Sequence, residues 1–391
     1  MERTDAYARR RRRPRRWARI AAVLCLCAAS LAAGYGAHAL VSGPGDAAAP
    51  RRGAPTTTVT VTKTSPHPKP PPPPDPRTLS IAAVGDTMLG STPDLPPSPS
   101  AYLAAMRADL QGDVVFGNLE GTLTDATTSK CKPKAKDCFA FRAPPEFASG
   151  LRAAGFTVMN NANNHSYDFG AAGQADTVRA LRAAGIAQTG LPGEITVVRA
   201  GGMRVALLGF APYSDTASLL DVPAAQALIA RAGTMADIVV VAIHAGAEGT
   251  DAQHVTGAEE SYVGEDRGNA EAFAHMAVDA GADLVLGSGP HVLRGMEIYR
   301  GRLIAYSLGN FAGYHNFGLD GVLADSAVLH VHLSAQGAFR SGRIASVRLV
   351  DAGMPEPDPA ATGAQLIAEL SRADFGARAV RVTPAGRITP P

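Results

Sequence analysis

Cysteine is scarce in this chain: there are four in 391 residues. Cys25 and Cys27 lie within an apolar run and each follows a leucine, so neither is preceded by a lipobox. Cys131 and Cys138 bracket "KPKAKD" in a polar loop, and no second such pair lies nearby. That spacing argues against a cysteine metal site and for a disulfide that clips the loop, provided the segment reaches an oxidising compartment. Net charge is small as well, at +2. Residues 1–19 hold nine arginines against Glu2 and Asp5, a formal +7, which leaves about −5 for everything that follows. The basic character belongs to the tail and not to the body.

An arginine block can signal nucleic-acid binding, but here "IAAVLCLCAASLAAGYGAHALV" (20–41) follows at once. Positive charge ahead of about 20 uncharged residues is the positive-inside pattern, which keeps the tail in the cytoplasm and sends the rest outward. A membrane partner is expected and a nucleic-acid partner is not. The length of the run points to an uncleaved signal anchor in the cell membrane; the alternative is a secreted form cut after "AHA" (37–39), near Ala39. Arg15-Arg16 fits a twin-arginine signal only weakly. Either way the body is exported. Residues 42–76 pass from "TTTVTVTKT" to a proline run, a semi-rigid polyproline spacer that cannot form a packed core.

The body, 77–350, is long enough to bury one large core. Apolar runs such as "LSIAAVG", "DVVFGN", "FTVMNN", "MRVALLGFA", "ADIVVVAIHAG", "ADLVLGSG" and "RLIAYSLGN" alternate with amphipathic stretches such as "SAYLAAMRADL", "ADTVRALRAAG" and "NAEAFAHMAVDAG". Strands that are apolar on both faces and separated by helices require a covered sheet. The expectation is an α/β sandwich, with hairpins at "VVRAGGMRV" and "EIYRGRL" that make the sheets mixed. After Val350 a linker leads to an amphipathic helix at 364–376 that packs back on the body; the last residues read as frayed or loosely docked.

Polar residues cluster just past the apolar runs. Asp86 follows "IAAVG", Asn118 and Glu120 follow "VVFG", Asn164 and His165 follow "VMNNAN", His244 follows "VVVAI", and His291 follows "LVLGSGP". Open α/β sheets bind ligands at such strand ends. Carboxylates and amides mixed with imidazoles suit a divalent Zn, Mn or Fe ion, and a pair of such ions is one way to activate water against a phosphoester. Arg294 offers forked donors for a carboxylate or phosphate. Glu248, four residues after His244, reads as a supporting carboxylate or proton carrier, and 250–268 as a rim or lid.

Together "AVGDTMLG", "VVFGNLEGTLT", "FRAPPEFASGLRAAGFTVMNNANNHSYDFGAAG", "IHAGAEG" and "DAGADLVLGSGPHVLRGMEIYRGRLIAYSLGNF" resemble the capsule synthesis protein CapA family, from about Ser80 to about Val350. The resemblance implies a metallophosphatase-like (calcineurin-like) α/β sandwich associated with poly-γ-glutamate biosynthesis and export. It also implies that Asp86, Glu120, Asn164, His244 and His291 are metal ligands. His165 would face the substrate's charged group, and Asp168 would buttress His165 or cap the next helix. Asn160, Asn161 and Asn163 are expected to hold the loop by bonding its backbone. The chain departs from the wider superfamily where Met88 replaces the histidine of Asp-x-His and where "GSGPH" lacks the paired imidazoles. Glu120 takes the place of the bridging aspartate.

Two functions of different class follow. One is a membrane-anchored accessory protein that meets an anionic envelope polymer or its synthase complex. The other is a metal-dependent phosphoesterase-like hydrolase using the ligands above with His165, Asp168, Glu248 and Arg294. The export reading itself is testable: protease added to intact protoplasts should digest the body while residues 1–19 stay protected. Survival of the body until lysis would refute it.

Overall fold

In the computed structural model, residues 76–132 and 138–391 are described. The arginine tail, the apolar segment with Cys25 and Cys27, and the linker up to residue 75 lie outside the described residues. Among the described residues no helix is long and apolar enough to cross a membrane.

Two mixed sheets face one another. The larger has ten strands. Its parallel part runs Thr78–Met88, Val114–Leu119, Val158–Asn160, Ala187–Thr189, and an antiparallel flank formed by Asp325–Ser334 and Phe339–Val350 joins Thr78–Met88 on its other side. The smaller has six strands, with Met203–Phe210, Ile238–His244, Leu284–Ser288 and Arg302–Ala305 parallel. Both expected hairpins are present: Ala200 pairs with Met203 and Tyr299 with Arg302.

Strand alternation explains the layering. Leu79, Ile81 and Ala83 from one sheet and Val205, Leu207, Val240 and Leu284 from the other form the core between the sheets. Their sequence neighbours point outward: Ala82, Val84 and Val115 pack under the helices Ala148–Ala154 and Gly170–Ala183, while Ala206, Leu208, Val239 and Val241 pack under Val222–Met235 and Ala270–Asp279. The central strands are thus buried on both faces. This is the α/β sandwich expected from the runs.

Two local expectations change. The stretch 100–110 is not one helix but a short turn of helix at Pro99–Tyr102 followed by a tighter turn at Ala104–Met106. Tyr102 is anchored there by its hydroxyl, which donates to the Gly353 carbonyl at 2.5 Å and accepts from the Gly313 N–H at 3.1 Å. Of the two readings of the C-terminal end, docking is the one formed, and it is not loose: Arg387–Thr389 pairs with Phe339–Val350, and Ile388 is buried in the inter-sheet core. The helix Thr362–Phe375 docks as expected, placing Ala364 and Ile367 in that same core. Cys131 and Cys138 are joined by a disulfide.

Because Ile388 is 1% exposed, Ile388→Ala should cost the full chain about 2–5 kcal/mol of stability, the range for emptying a buried aliphatic site. A urea midpoint unchanged from the parent would return the end to the frayed reading.

Candidate functional site

Strand register assembles the site. Asn310 pairs with Asp86, Asp86 with Asn118, Asn118 with Asn160, and Asn160 with Thr189, so one row of polar residues crosses the larger sheet at the C-terminal ends of its parallel strands. On the smaller sheet Ser288 and His244 pair at the same end of theirs. Backbones approach closely here. A Cβ on Gly85 would lie 2.0 Å from the Gly309 carbonyl oxygen, where the Asp86 N–H donates at 2.9 Å.

The asparagine-rich loop supplies the scaffold. The Asn163 Nδ2 donates to the Leu119 carbonyl at 2.8 Å while its Oδ1 accepts from the His165 N–H at 3.1 Å. Asn160 is held through both ends of its amide by Ala162. Those amides bond the backbone as expected, but both also donate to Asn118 Oδ1, at 2.8 Å from Asn160 and 3.2 Å from Asn163. The orientation of Asn118 is therefore imposed, and its Nδ2 donates to Asp86 Oδ1 at 2.8 Å and meets His244 Nδ1 at 3.3 Å. Ser288 Oγ, which donates to the Ile243 carbonyl at 3.2 Å, lies 3.4 Å from the same Nδ1, while His244 Nε2 is buried without a hydrogen-bond partner. Among the loop asparagines, Asn161 behaves otherwise: its amide is buried without a partner.

Asp86, Glu120 and His291 each offer a ligand atom within 4.8 Å of the others. His291 Nδ1 lies 2.8 Å from Asn310 Oδ1 and 3.3 Å from Asp86 Oδ2, and its Nε2 lies 3.5 Å from Glu120 and 3.8 Å from Glu248. His291 holds a left-handed φ of 60°, a strained conformation for a residue with a side chain. Glu248 is held in turn by Arg267, which also faces the rings of Tyr213 and Tyr262.

The electrostatics follow from burial. Burial pushes the Asp86 carboxyl up, but the hydrogen bond and charge of His291, with His244 and Asn118, hold it below the usual carboxylate value. Burial, only partly opposed by His291, pushes Glu120 well above its usual range, and the charges of Asp86 and Glu248 add to the rise. Burial draws His291 down, yet Glu120, Asp86 and Glu248 outweigh it and lift the imidazole to about 10. Burial drives His244 down to about 3, so it is neutral. Carboxylates this deep retain protons unless another cation takes their place.

The remaining expected residues divide. His165 is buttressed by Asp168, Nδ1 to Oδ2 at 2.9 Å, and Asp168 also meets Lys130 at 2.6 Å and the Phe141 N–H at 2.6 Å. Of the two roles open to Asp168, the buttress is the one formed; the helix Gly170–Ala183 begins without a side-chain cap. The Asn164 Oδ1 is buried without a hydrogen-bond partner, while its backbone carbonyl accepts from Lys130. Arg294, 0% exposed, is taken up within the chain: its terminal nitrogens donate to Glu260 at 2.8 and 2.6 Å and its Nε to the Ala252 carbonyl. The stretch 250–268 thus carries a hairpin, Glu260–Tyr262 with Glu265–Gly268, pinned by the two arginines. Sequence reasoning placed Asn118 at a strand end but gave it no role, and it did not select Arg267. For Asn118 a signal existed, since it ends its apolar run as Asp86 ends another; for Arg267, within an aperiodic insertion, there was none.

The chain belongs to the bacterial capsule synthesis proteins: the family model described as bacterial capsule synthesis protein PGA_cap matches residues 80–314. The capsule biosynthesis protein CapA of Bacillus anthracis is 33% identical over 247 residues, covering 58% of this chain and 56% of that protein. The PGA biosynthesis protein CapA of Bacillus subtilis is 29% identical over 283 residues, covering 67% of this chain and 70% of that one. A probable polyglutamine synthesis accessory protein of Mycobacterium tuberculosis is 32% identical over 228 residues, covering 51% and 55%. The chain therefore spans little more than half the length of some of these relatives. Among solved structures, a putative 5'-nucleotidase from Staphylococcus aureus in complex with alpha-ketoglutarate superposes with a TM-score of 0.43 at 13% identity, over 75% of this chain and 58% of that one.

The amide scaffold can be tested away from the carboxylates. A Cβ at Gly209 would fall 1.8 Å from Asn160 Oδ1, whereas one at Gly233, in the helix Val222–Met235, meets nothing within 4 Å. Gly209→Ala should lower stability by about 1–3 kcal/mol and Gly233→Ala should leave it equal or higher by up to ~1 kcal/mol, read by thermal denaturation.

Proposed function

We propose that this protein is a membrane-anchored, extracytoplasmic accessory factor in the synthesis or export of an anionic envelope polymer of the poly-γ-glutamate type. The family match over 80–314 carries the reading. Relatives named for capsule, PGA and polyglutamine synthesis support the polymer class, and the arginine-flanked apolar segment supports the anchor. The partners in this reading are the polymer or its synthase complex.

The site is consistent with an anionic ligand only if its sign is inverted. Its innermost groups are Asp86, Glu120 and Glu248, which by themselves repel a polyanion. Glu120 is 1% exposed with neither carboxylate oxygen hydrogen-bonded, so the donor set fits a divalent cation, with oxygen and imidazole donors suited to Mn, Zn or Fe. Asp86, Glu120 and His291 are the group that would hold it, with Asn164 and His244 the further candidates named from sequence. Such an ion would supply a positive centre for a carboxylate or phosphate and would acidify a bound water.

The orphaned Glu120 also favours the second reading, a metal-dependent phosphoesterase-like hydrolase. There His165, oriented by Asp168, would face the substrate; Glu248 would hold or move a proton beside His291 Nε2. Arg294 has no free fork for substrate in this arrangement.

Deleting the gene should remove most acid-releasable glutamate polymer from the cell surface, with restoration by the full chain. Unchanged polymer in the deletion strain would reject the accessory reading. Turnover of a generic phosphodiester by the purified full chain with Mn or Zn, lost in Asp86→Ala and His291→Ala, would favour the hydrolase; no turnover above a metal-only blank would reject it.

A further inference from the structure

The insertion 250–268 brings a buried cation against Glu248. In its hairpin Glu260 pairs with Gly268 and Ser261 with Asp266, so Arg267 stands between them as the extra residue of a bulge. Bulges re-aim a side chain, and this one turns Arg267 inward to 2% exposure while Glu265 and Asp266 beside it stay exposed. The Arg267 carbonyl accepts from the Gly246 N–H at 3.0 Å, which ties the bulge to the loop that follows His244. Its guanidinium lies 5.8 Å from the ring centre of Tyr213 and 5.6 Å from that of Tyr262, and its Nη2 donates to Glu248. Its Nε and Nη1 are buried and find no hydrogen-bond partner among the described residues. Donors left unused at that depth are costly unless something completes them.

We propose that Arg267 is the contact for an oxyanion of the ligand, a carboxylate or phosphate, through its unused Nε and Nη1 donors, and that Glu265 stands in for that group in the free protein. The proposal rests on the anionic-ligand reading above and names the residue that recognises the ligand. It takes the role expected of Arg294, whose fork is closed by Glu260. Glu265 Oε2 stands 3.5 Å from Arg267 Nε, too far for a hydrogen bond, and is kept there by the Tyr213 hydroxyl, which donates to it at 3.0 Å. The Glu265 side chain is 55% exposed, so it can swing into solvent and uncover the donors without disturbing the core. An oxyanion that replaces it leaves the local charge unchanged, with Arg267 still matched by Glu248 and one further anion. Guanidinium N–H groups make strong charge-assisted bonds to such oxygens, and the two rings exclude water from them.

The test is calorimetric titration of the full chain with a γ-linked glutamate oligomer and, separately, with inorganic phosphate. Glu265→Gln keeps the acceptor for the Tyr213 hydroxyl but removes the competing charge, and should tighten binding by about 2–5-fold, the scale of an exposed ion pair. Glu259→Gln removes the same charge from an exposed position in the same insertion and should leave binding unchanged at physiological salt. Arg267→Lys keeps the charge but loses the planar donors, and should weaken binding by about 10-fold or more. This pattern with the oligomer assigns the seat to a carboxylate, and the same pattern with phosphate alone assigns it to a phosphate group. Oligomer binding that Glu265→Gln changes no more than Glu259→Gln does would overturn the seat and leave the polymer reading intact. Binding of neither probe would also overturn the seat, while the deletion strain would still decide the accessory role by itself.

Discussion

The amide of Asn118 is the contact through which the two halves of the site are joined. Its oxygen is held by Asn160 and Asn163 from the larger sheet's loop, and its nitrogen reaches Asp86 on the neighbouring strand and His244 on the other sheet. Every donor and acceptor of that side chain is used inside a buried space, where an unpaired amide would cost several kcal/mol. Asn163 is itself pinned by two backbone groups, so orientation passes from the backbone through two amides to a carboxylate and an imidazole. A buried polar network of this kind is stable only when complete.

Asn118 can bridge because the strands deliver it to a set height. The inter-sheet core of aliphatic side chains holds the two parallel sets face to face, and the carboxyl ends of both come out at one rim. Shifting a strand by one residue would exchange its inward and outward faces, so the packing that buries Ile81 and Val240 also fixes where Asp86 and His244 stand.

The rim then concentrates carboxyl groups where water is excluded. Glu120 lacks hydrogen bonds, Asp86 is saturated with them, and His291, in a strained backbone conformation, stands between the two. Among the described residues, Arg267 and Lys130 bring fixed positive charge to the rim, and each is engaged by a carboxylate of the chain.

Much of this was legible in the sequence. Apolar runs of strand length between amphipathic stretches determined a covered α/β sandwich, because a strand buried on both faces has no other composition. Polar residues just past those runs located the rim, and Cys131 and Cys138 marked their own bridge. What the sequence could not determine was direction. Whether an asparagine turns its oxygen or its nitrogen toward a neighbour depends on groups far along the chain, as Asn118 is turned by Asn160 and Asn163, 42 and 45 residues away. The fork of Arg294, which read as a ligand contact, was claimed by Glu260 from an insertion with no periodicity. Likewise Ile388, in a tail that read as frayed or loosely docked, found an unsatisfied sheet edge at Gly342. Local composition selects the elements, since each strand or helix is decided by its own few residues. Only the packed tertiary structure decides which buried polar atoms meet, because hydrogen bonds there are exchanged among segments that the chain brings together last.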